Sequence, residues 1–211
     1  MKKPKFVFFA WALLVLVACG GGGGSPGGAK SPSDQGTNGS KAVLTQLCGV
    51  EVGSLAINGT VVDVHDGDTI TVSTNGRKAT VRLDSLDAPE RAQSFGDVSG
   101  SDLRNKLLNQ NVRVRYAKMD QYGRYVGAVF TDACEYVNLS QVRSGMAWFY
   151  KAYQCEISAG LRQKFADAQA SASAARKGLW TQSNPTAPWV FRNGYDPVPP
   201  TCSSPLPDWA A

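Results

Sequence analysis

Histidine is all but missing: His65 stands alone in 211 residues. Cysteine is sparse too, with five, and no two form a CxxC pair. These two shortages argue against a zinc or copper centre built from imidazole and thiolate. His65 itself precedes an Asp66-Gly67 turn and reads as a solvated or lightly packed ring, not a catalytic one. Long apolar runs are equally scarce. The one present, FVFFAWALLVLVA at residues 6–18, is too short to span a bilayer with ease. No second run could cross a membrane. A strong charge of one sign is lacking as well. The formal net charge of +5 includes Lys2, Lys3 and Lys5, and without them 19 basic residues face 17 acidic ones. Bulk charge therefore gives little reason to name a polyanionic partner, and only local charge placement can.

What is present begins with a leader. MKKPK is a positive n-region, the apolar run is a signal h-region, and the stretch closes on LVAC. Small residues before a cysteine at this depth resemble the bacterial lipoprotein cleavage box. That resemblance implies a signal peptide over 1–18 and a mature chain that starts at a lipid-bearing Cys19. An exported lipoprotein held at the cell envelope, on its periplasmic or extracellular face, is the expected location. Residues 20–41 are Gly, Ser, Pro and Asn with almost nothing to bury. They read as a flexible tether spanning about 25 Å, within an extension that runs over 19–56. About 165 residues remain, enough for one domain with a sizeable core. Cys48, Cys134, Cys155 and Cys202 are an even set in an exported chain, which favours two disulfides from three possible pairings. The preferred pairing joins Cys134 to Cys155 and Cys48 to Cys202.

From residue 57 the pattern turns to strands. Val62 and Val64, Ile70 and Val72, and Val81 and Leu83 alternate with polar residues in three runs. Asp66-Gly67 and Asn75-Gly76 supply the turns between them, the second of a type I′ kind. VSGSDLRNKLLNQ reads as a helix capped by Ser99 or Ser101, with Leu103, Leu107 and Leu108 inward. NVRVRYAKMD and YVGAVFTD are two further strands about the QYGR turn. VNLSQVRSGMAWF is a second helix. ISAGLRQKFADAQASASAARKG is a third, with Leu161, Phe165 and Ala168 inward and Gly178 able to end it. Trp148 and Tyr150 read as core or helix-end packing, and Trp180 as an anchor for the last helix. Residues 184–211 hold seven prolines and no period, and read as an extended arm. The expected architecture is α+β: a five-stranded antiparallel barrel of the oligonucleotide-binding (OB) type with three helices, over residues 57–183.

The chemistry concentrates in RLDSLDAPE, residues 82–90. Asp84, Asp87 and Glu90 crowd into seven positions, and carboxylates so close repel unless a cation, solvent or a proton intervenes. With Asp68 from the first turn, the available ligands are all oxygens, which suits a hard divalent cation. Asp66 reads as a turn former, and Asp84 as the partner of an arginine on another face.

DGDTI, VRLDSLDAPE, DQYGR and LSQVRSGMAWFY occur in this order and spacing. Together they resemble the staphylococcal (micrococcal) nuclease family, the thermonucleases, over about residues 57–180. The resemblance implies calcium on Asp68, Asp87 and the backbone carbonyl of Ala88, where the family commonly has threonine. It implies Glu90 as general base or water-orienting group, and Arg82 and Arg124 as the clamp on the phosphate. Tyr122 and Tyr153 match aromatic positions of the nucleotide pocket, and Lys151 stands where another tyrosine is frequent. Gln121 replaces a frequent lysine. The implied protein is a monomeric, calcium-dependent phosphodiesterase that cuts DNA and RNA to 3′-phosphate products. The alternative is a catalytically silent nucleic-acid-binding or adaptor module on the same barrel.

Overall fold

The structure is a computed structural model, and it describes residues 46–48, 50–51 and 56–203. The expected signal peptide, Cys19 and the tether lie outside the described residues. A two-stranded ribbon comes first, β1 (Gln46–Leu47) with β2 (Val50–Glu51). The barrel strands are β3 (Ala56–Val64), β4 (Thr69–Thr74), β5 (Arg77–Leu83), β7 (Asn111–Met119) and β8 (Tyr125–Thr131). They close in the order β3-β4-β5-β8-β7. Outside the barrel, β6 (Leu86–Asp87) pairs with β9 (Trp148–Phe149). The helices are α1 (Gly96–Leu107), α2 (Val137–Arg143), α3 (Ala159–Ala174) and α4 (Pro188–Asn193). Short 3₁₀ turns cover Lys151–Glu156 and Gly178–Thr181.

The expected OB-type barrel is present, antiparallel at every seam but one. At the closing seam β5 and β8 run parallel, with Arg82 opposite Val126. Asn138 secures this junction. It is fully buried, accepts from the Val129 N–H at 2.9 Å and donates to the Gly127 carbonyl at 3.1 Å. It also donates to the Asp84 carboxylate at 3.0 Å. Asp84 is thus held by Asn138 and Ser85, with a longer bond from Tyr136, and not by an arginine as the sequence suggested.

The barrel interior is made by Ile57, Val61, Val64, Ile70, Val72, Val81, Leu83, Val112, Val114 and Val129. Val62 is not among them. A register shift between Val61 and Asp63 moves the inward face, so Val61 and Val64 are buried and Val62 is 39 % exposed. Asn75 and Gly76 both have positive φ, 48° and 73°, as a type I′ hairpin demands. Leu103 and Leu107 of α1 and Leu161, Phe165 and Ala168 of α3 fill the core beside the barrel. Helix α1 starts earlier than expected, after Phe95, so Ser99 is not its cap. Ser99 lies inside the helix and donates to the Met146 carbonyl at 2.8 Å. Helix α2 stops at Arg143 because Gly145 turns the chain at φ 73°. The following Trp148–Phe149 is then free to become a strand. Helix α3 is capped by Ser158 and stops at Ala174, short of Gly178.

Both disulfides differ from the preferred pairing. Cys48 bonds Cys134, tying the first ribbon to the turn after β8. Cys155 bonds Cys202, tying the arm to the 3₁₀ turn after β9. Each cysteine meets the one its own sheet edge or loop brings near, which spacing along the chain does not reveal.

Burial pushes the Asp84 carboxyl up to about 6, and the donors Ser85, Asn138 and Tyr136 offset only part of that. A carboxyl whose pKa rises on folding favours the folded state most at low pH. That contribution is lost as pH climbs from about 4 through about 6. The stability of Asp84→Asn relative to wild type should therefore rise across that window by about 2 kcal/mol and then level off. Urea midpoints at pH 4, 5, 6 and 7.5 measure this. A gap that stays flat across the window would refute the inward carboxyl.

Candidate active site

The first turn and the loop after β5 meet at one end of the barrel. The Asp66 carboxylate accepts from the Asp68 N–H at 3.0 Å, closing the turn on itself. Asp66 is thus the turn former the sequence indicated, and it also faces the site. Gly67 lies against Ser99 of α1 so closely that a β-carbon would collide with the serine hydroxyl. Gly96 at the start of α1 lies equally close to the Glu90 carbonyl. One helix therefore presses on both acidic loops. The β6–β9 pair adds a third constraint by setting Asp87 opposite Trp148.

Asp68 and Asp87 are 5 % and 1 % exposed. Arg82 bridges them. Its Nη1 is 3.1 Å from Asp68 Oδ2 and its Nη2 donates to Asp87 Oδ1 at 2.7 Å. Asp68 Oδ2 also accepts from the Ala88 N–H at 2.9 Å, so the Ala88 backbone lies against this carboxylate. Glu90 projects from the same loop, whose N–H and carbonyl are bonded to Gln93. Across the cleft, Arg124 Nε donates to Asp120 Oδ2 at 2.7 Å, and its guanidinium lies 5.4 Å from the Tyr122 ring.

Asp68, Arg82, Asp87, Ala88, Glu90, Arg124, Tyr122 and Tyr153 all line one cleft of ≈ 630 Å³. Lys151 does not line it. That side chain is exposed on the 3₁₀ turn, while Tyr150 just before the turn and Tyr153 within it line the cleft instead. Tyr150, which the sequence suggested was core or helix-end packing, is a wall of the cleft. The cleft's cation beside Tyr153 is Lys118, 5.0 Å above its ring.

Arg192 of α4 went unrecognised in the sequence. It reaches the cleft from the proline-rich arm, donating to Asp87 Oδ2 at 2.7 Å and pairing with Glu90 Oε1. The arm is therefore not irregular throughout. Pro188 at the first helical turn and Gly194 at φ 76° bracket α4, a start-and-stop pair that was legible in the sequence.

The lining holds seven carboxylates against four cationic side chains. Burial and neighbouring carboxylates raise two of these acids. Burial and the neighbouring Asp68 charge push Asp66 up to about 7. Burial pushes Asp87 up to about 6, against the pull of Arg82 and Arg192. Such a site lacks positive charge, its donors are oxygens, and guanidinium groups already lie on four of its carboxylates, Asp68, Asp87, Glu90 and Asp120. A hard divalent cation fits this set, with Asp68 and Asp87 as side-chain ligands. Among the described residues no three His, Cys, Asp or Glu side chains form a ready-made cage. The remaining ligands would be backbone oxygens and water, as expected for a metal that must leave room for substrate.

A family model described as "Staphylococcal nuclease homologue" matches residues 80–182. The match begins inside β5 and ends before α4, so Asp68 and Arg192 both lie outside it. An "Uncharacterized endonuclease" of Escherichia coli O157:H7 is 35 % identical over 137 residues, 65 % of this chain and 86 % of the relative. One of Haemophilus influenzae is 38 % identical over 133 residues, 63 % and 71 % of the two chains. A "Micrococcal nuclease" of Shigella flexneri is 34 % identical over 143 residues, 64 % and 79 %.

Arg82→Ala would leave Asp68 and Asp87 facing each other with their shared cation removed. A broken buried pair costs about 3 kcal/mol, so the thermal midpoint in chelator should fall by several degrees. Added divalent cation should restore part of it. Glu90 is partly exposed, and Glu90→Ala should leave the midpoint within about one degree. Scanning calorimetry of both variants decides, and an unchanged midpoint for Arg82→Ala would contradict the bridge.

Proposed function

Because the chain belongs to the staphylococcal nuclease homologue family, we propose that it is an exported, lipid-anchored nuclease. It hydrolyses phosphodiester bonds of DNA and RNA with calcium, leaving 3′-phosphate ends. The observation that carries the reading is the meeting of Asp68, Arg82, Asp87, Glu90 and Arg124 in one cleft. The nucleases named among its relatives support the same reaction class.

Asp68, Asp87 and the Ala88 carbonyl would hold the ion. When bound, calcium supplies the positive charge that lets a polyanion enter an acidic cleft and draws electron density from the phosphate. Glu90 takes a proton from the attacking water, whose oxygen adds to phosphorus opposite the 5′-oxygen, and the 5′-oxygen leaves with the bonding pair and takes a proton from solvent to become the 5′-hydroxyl. Arg82 and Arg124 exchange their carboxylate partners for non-bridging phosphate oxygens, where the planar guanidinium can bind two at once. Their charge then grows in value as negative charge builds on those oxygens. Tyr122, 74 % exposed, and Tyr153, 53 % exposed, offer ring faces for bases at the mouth. Such stacking tolerates any base, in keeping with action on both DNA and RNA. A silent adaptor would have no use for a complete set of charged groups.

Single-stranded DNA, duplex DNA and RNA should each be cut in a calcium titration and left intact in chelator. Equal digestion in chelator would remove the metal from the proposal. Arg82→Ala and Glu90→Ala should each slow turnover at least ~100-fold, and near-normal turnover in either would count against its role. Cys19→Ala should release the protein from membranes with activity unchanged, whereas continued sedimentation with membranes would rule out the lipid anchor.

A further inference from the structure

We propose that the C-terminal arm completes the active centre: Arg192 is a positioning residue that fixes Glu90 and Asp87 as a pair and shares Asp87 with the metal ion. The inference rests on the function proposed above.

The geometry is specific. Arg192 reaches Asp87 Oδ2 with Nη2 at 2.7 Å, and Glu90 Oε1 with Nη1. Arg82 holds the other oxygen of Asp87, Oδ1, at 2.7 Å. Asp68, Arg82, Asp87, Arg192 and Glu90 thus form an alternating row of charges across the cleft floor. Arg192 is its last cation, and it arrives from outside the barrel and outside the range the family model matches.

The arm is seated, not draped. Trp189 is 7 % exposed and stacks on Tyr150 with ring centres 5.1 Å apart. Its indole N–H bonds Asp196 at 2.6 Å. Gln93, which also holds the Glu90 loop, donates to the Thr186 carbonyl at 2.6 Å. The Cys155–Cys202 disulfide fastens the far end. Arg192 therefore comes from a fixed helix, and a fixed guanidinium restricts the side chain it grips. Glu90 needs that restriction, since its side chain is 38 % exposed and a proton acceptor must stay aligned with its water.

The same contact opposes the metal. Both oxygens of Asp87 carry guanidinium bonds, so an ion bound there must displace or share one of them. Loss of Arg192 has two effects of opposite sign. Glu90 loses its alignment, which slows chemistry. Asp87 loses a competing cation, which tightens calcium. A simple loss of structure would slow chemistry and weaken calcium together.

The test uses the full chain and two readouts, steady-state cleavage of single-stranded DNA and calorimetric titration with calcium chloride. For Arg192→Ala we expect kcat at saturating calcium to drop about 10-fold, with KM little changed. Its calcium Kd should fall at least about 3-fold. Arg192→Lys keeps the charge but not the fork, so calcium affinity should return toward wild type while kcat stays low. An unchanged or higher kcat in Arg192→Ala, or weaker calcium binding, overturns the proposal. If wild type itself does not cut in calcium, the proposed function falls. If wild type cuts and Arg192→Ala matches it in both readouts, only the role of the arm falls.

Discussion

Everything at the site depends on Arg82 standing between two nearly buried carboxylates. Asp68 and Asp87 come from different loops, and without positive charge between them their mutual repulsion would oppose the packing that buries both. Arg82 meets this at the end of β5, where its guanidinium also donates to the carbonyls of Leu83 and Leu86. A single side chain thereby fixes the turn after its own strand and the separation of the two acids. The acids in turn hold the guanidinium at the cleft, where a phosphate can reach it. Stability and function use the same ion pairs, so the site is made ready before any ligand arrives.

That readiness requires the two loops to be held from behind, and the barrel alone does not do this. Helix α1 does, through two glycine contacts too close to admit a β-carbon. Gly67 against Ser99 and Gly96 against Glu90 fix the acidic loops to the first turns of one helix. The β6–β9 pair, which exists because α2 stops early at Gly145, holds the Asp87 backbone from the other side. Asn138 then locks the parallel seam between β5 and β8, the strand that leads into the RLDSLDAPE loop and the strand that follows Arg124. Each element that shaped the core thus also sets a distance within the cleft.

How much of this could be read from the chain varies with the kind of information each feature needs. The barrel strands show as alternation, and α3 shows as an apolar stripe through Leu161, Phe165 and Ala168, because these are local patterns. The meeting of Asp68, Arg82, Asp87, Glu90 and Arg124 is implied by the resemblance that four motifs carry, not by any pattern within the chain itself. Val62 was misplaced because a bulge shifts the inward face without changing composition. Asp84 was assigned an arginine because its real partner, Asn138, lies 54 residues away. The disulfides were mispaired for the same reason, since proximity across sheets leaves no trace in cysteine spacing. Arg192 is not marked by any local pattern: Pro188 and Gly194 bracket its helix, but six residues are too few to show an apolar period among seven prolines.

The two disulfides complete this division of labour. Neither lines the cleft, and each fastens a segment outside the barrel strands: the first ribbon at Cys48, the arm at Cys202. Closing loops of 86 and 47 residues restricts the unfolded chain by roughly 4 kcal/mol each in the chain-entropy picture. The barrel, with its buried valines and leucines, has little need of such help. The arm has more, because separate single contacts hold it: Thr186 to Gln93, Trp189 on Tyr150, Arg192 on Asp87 and Glu90, and Pro200 to Gln154. A covalent tie at its far end lets a six-residue helix keep a guanidinium in register with carboxylates on the opposite side of the chain's own sequence. An oxidising compartment is where such a tie persists, so the arm's hold on the site and the export proposed above require the same surroundings.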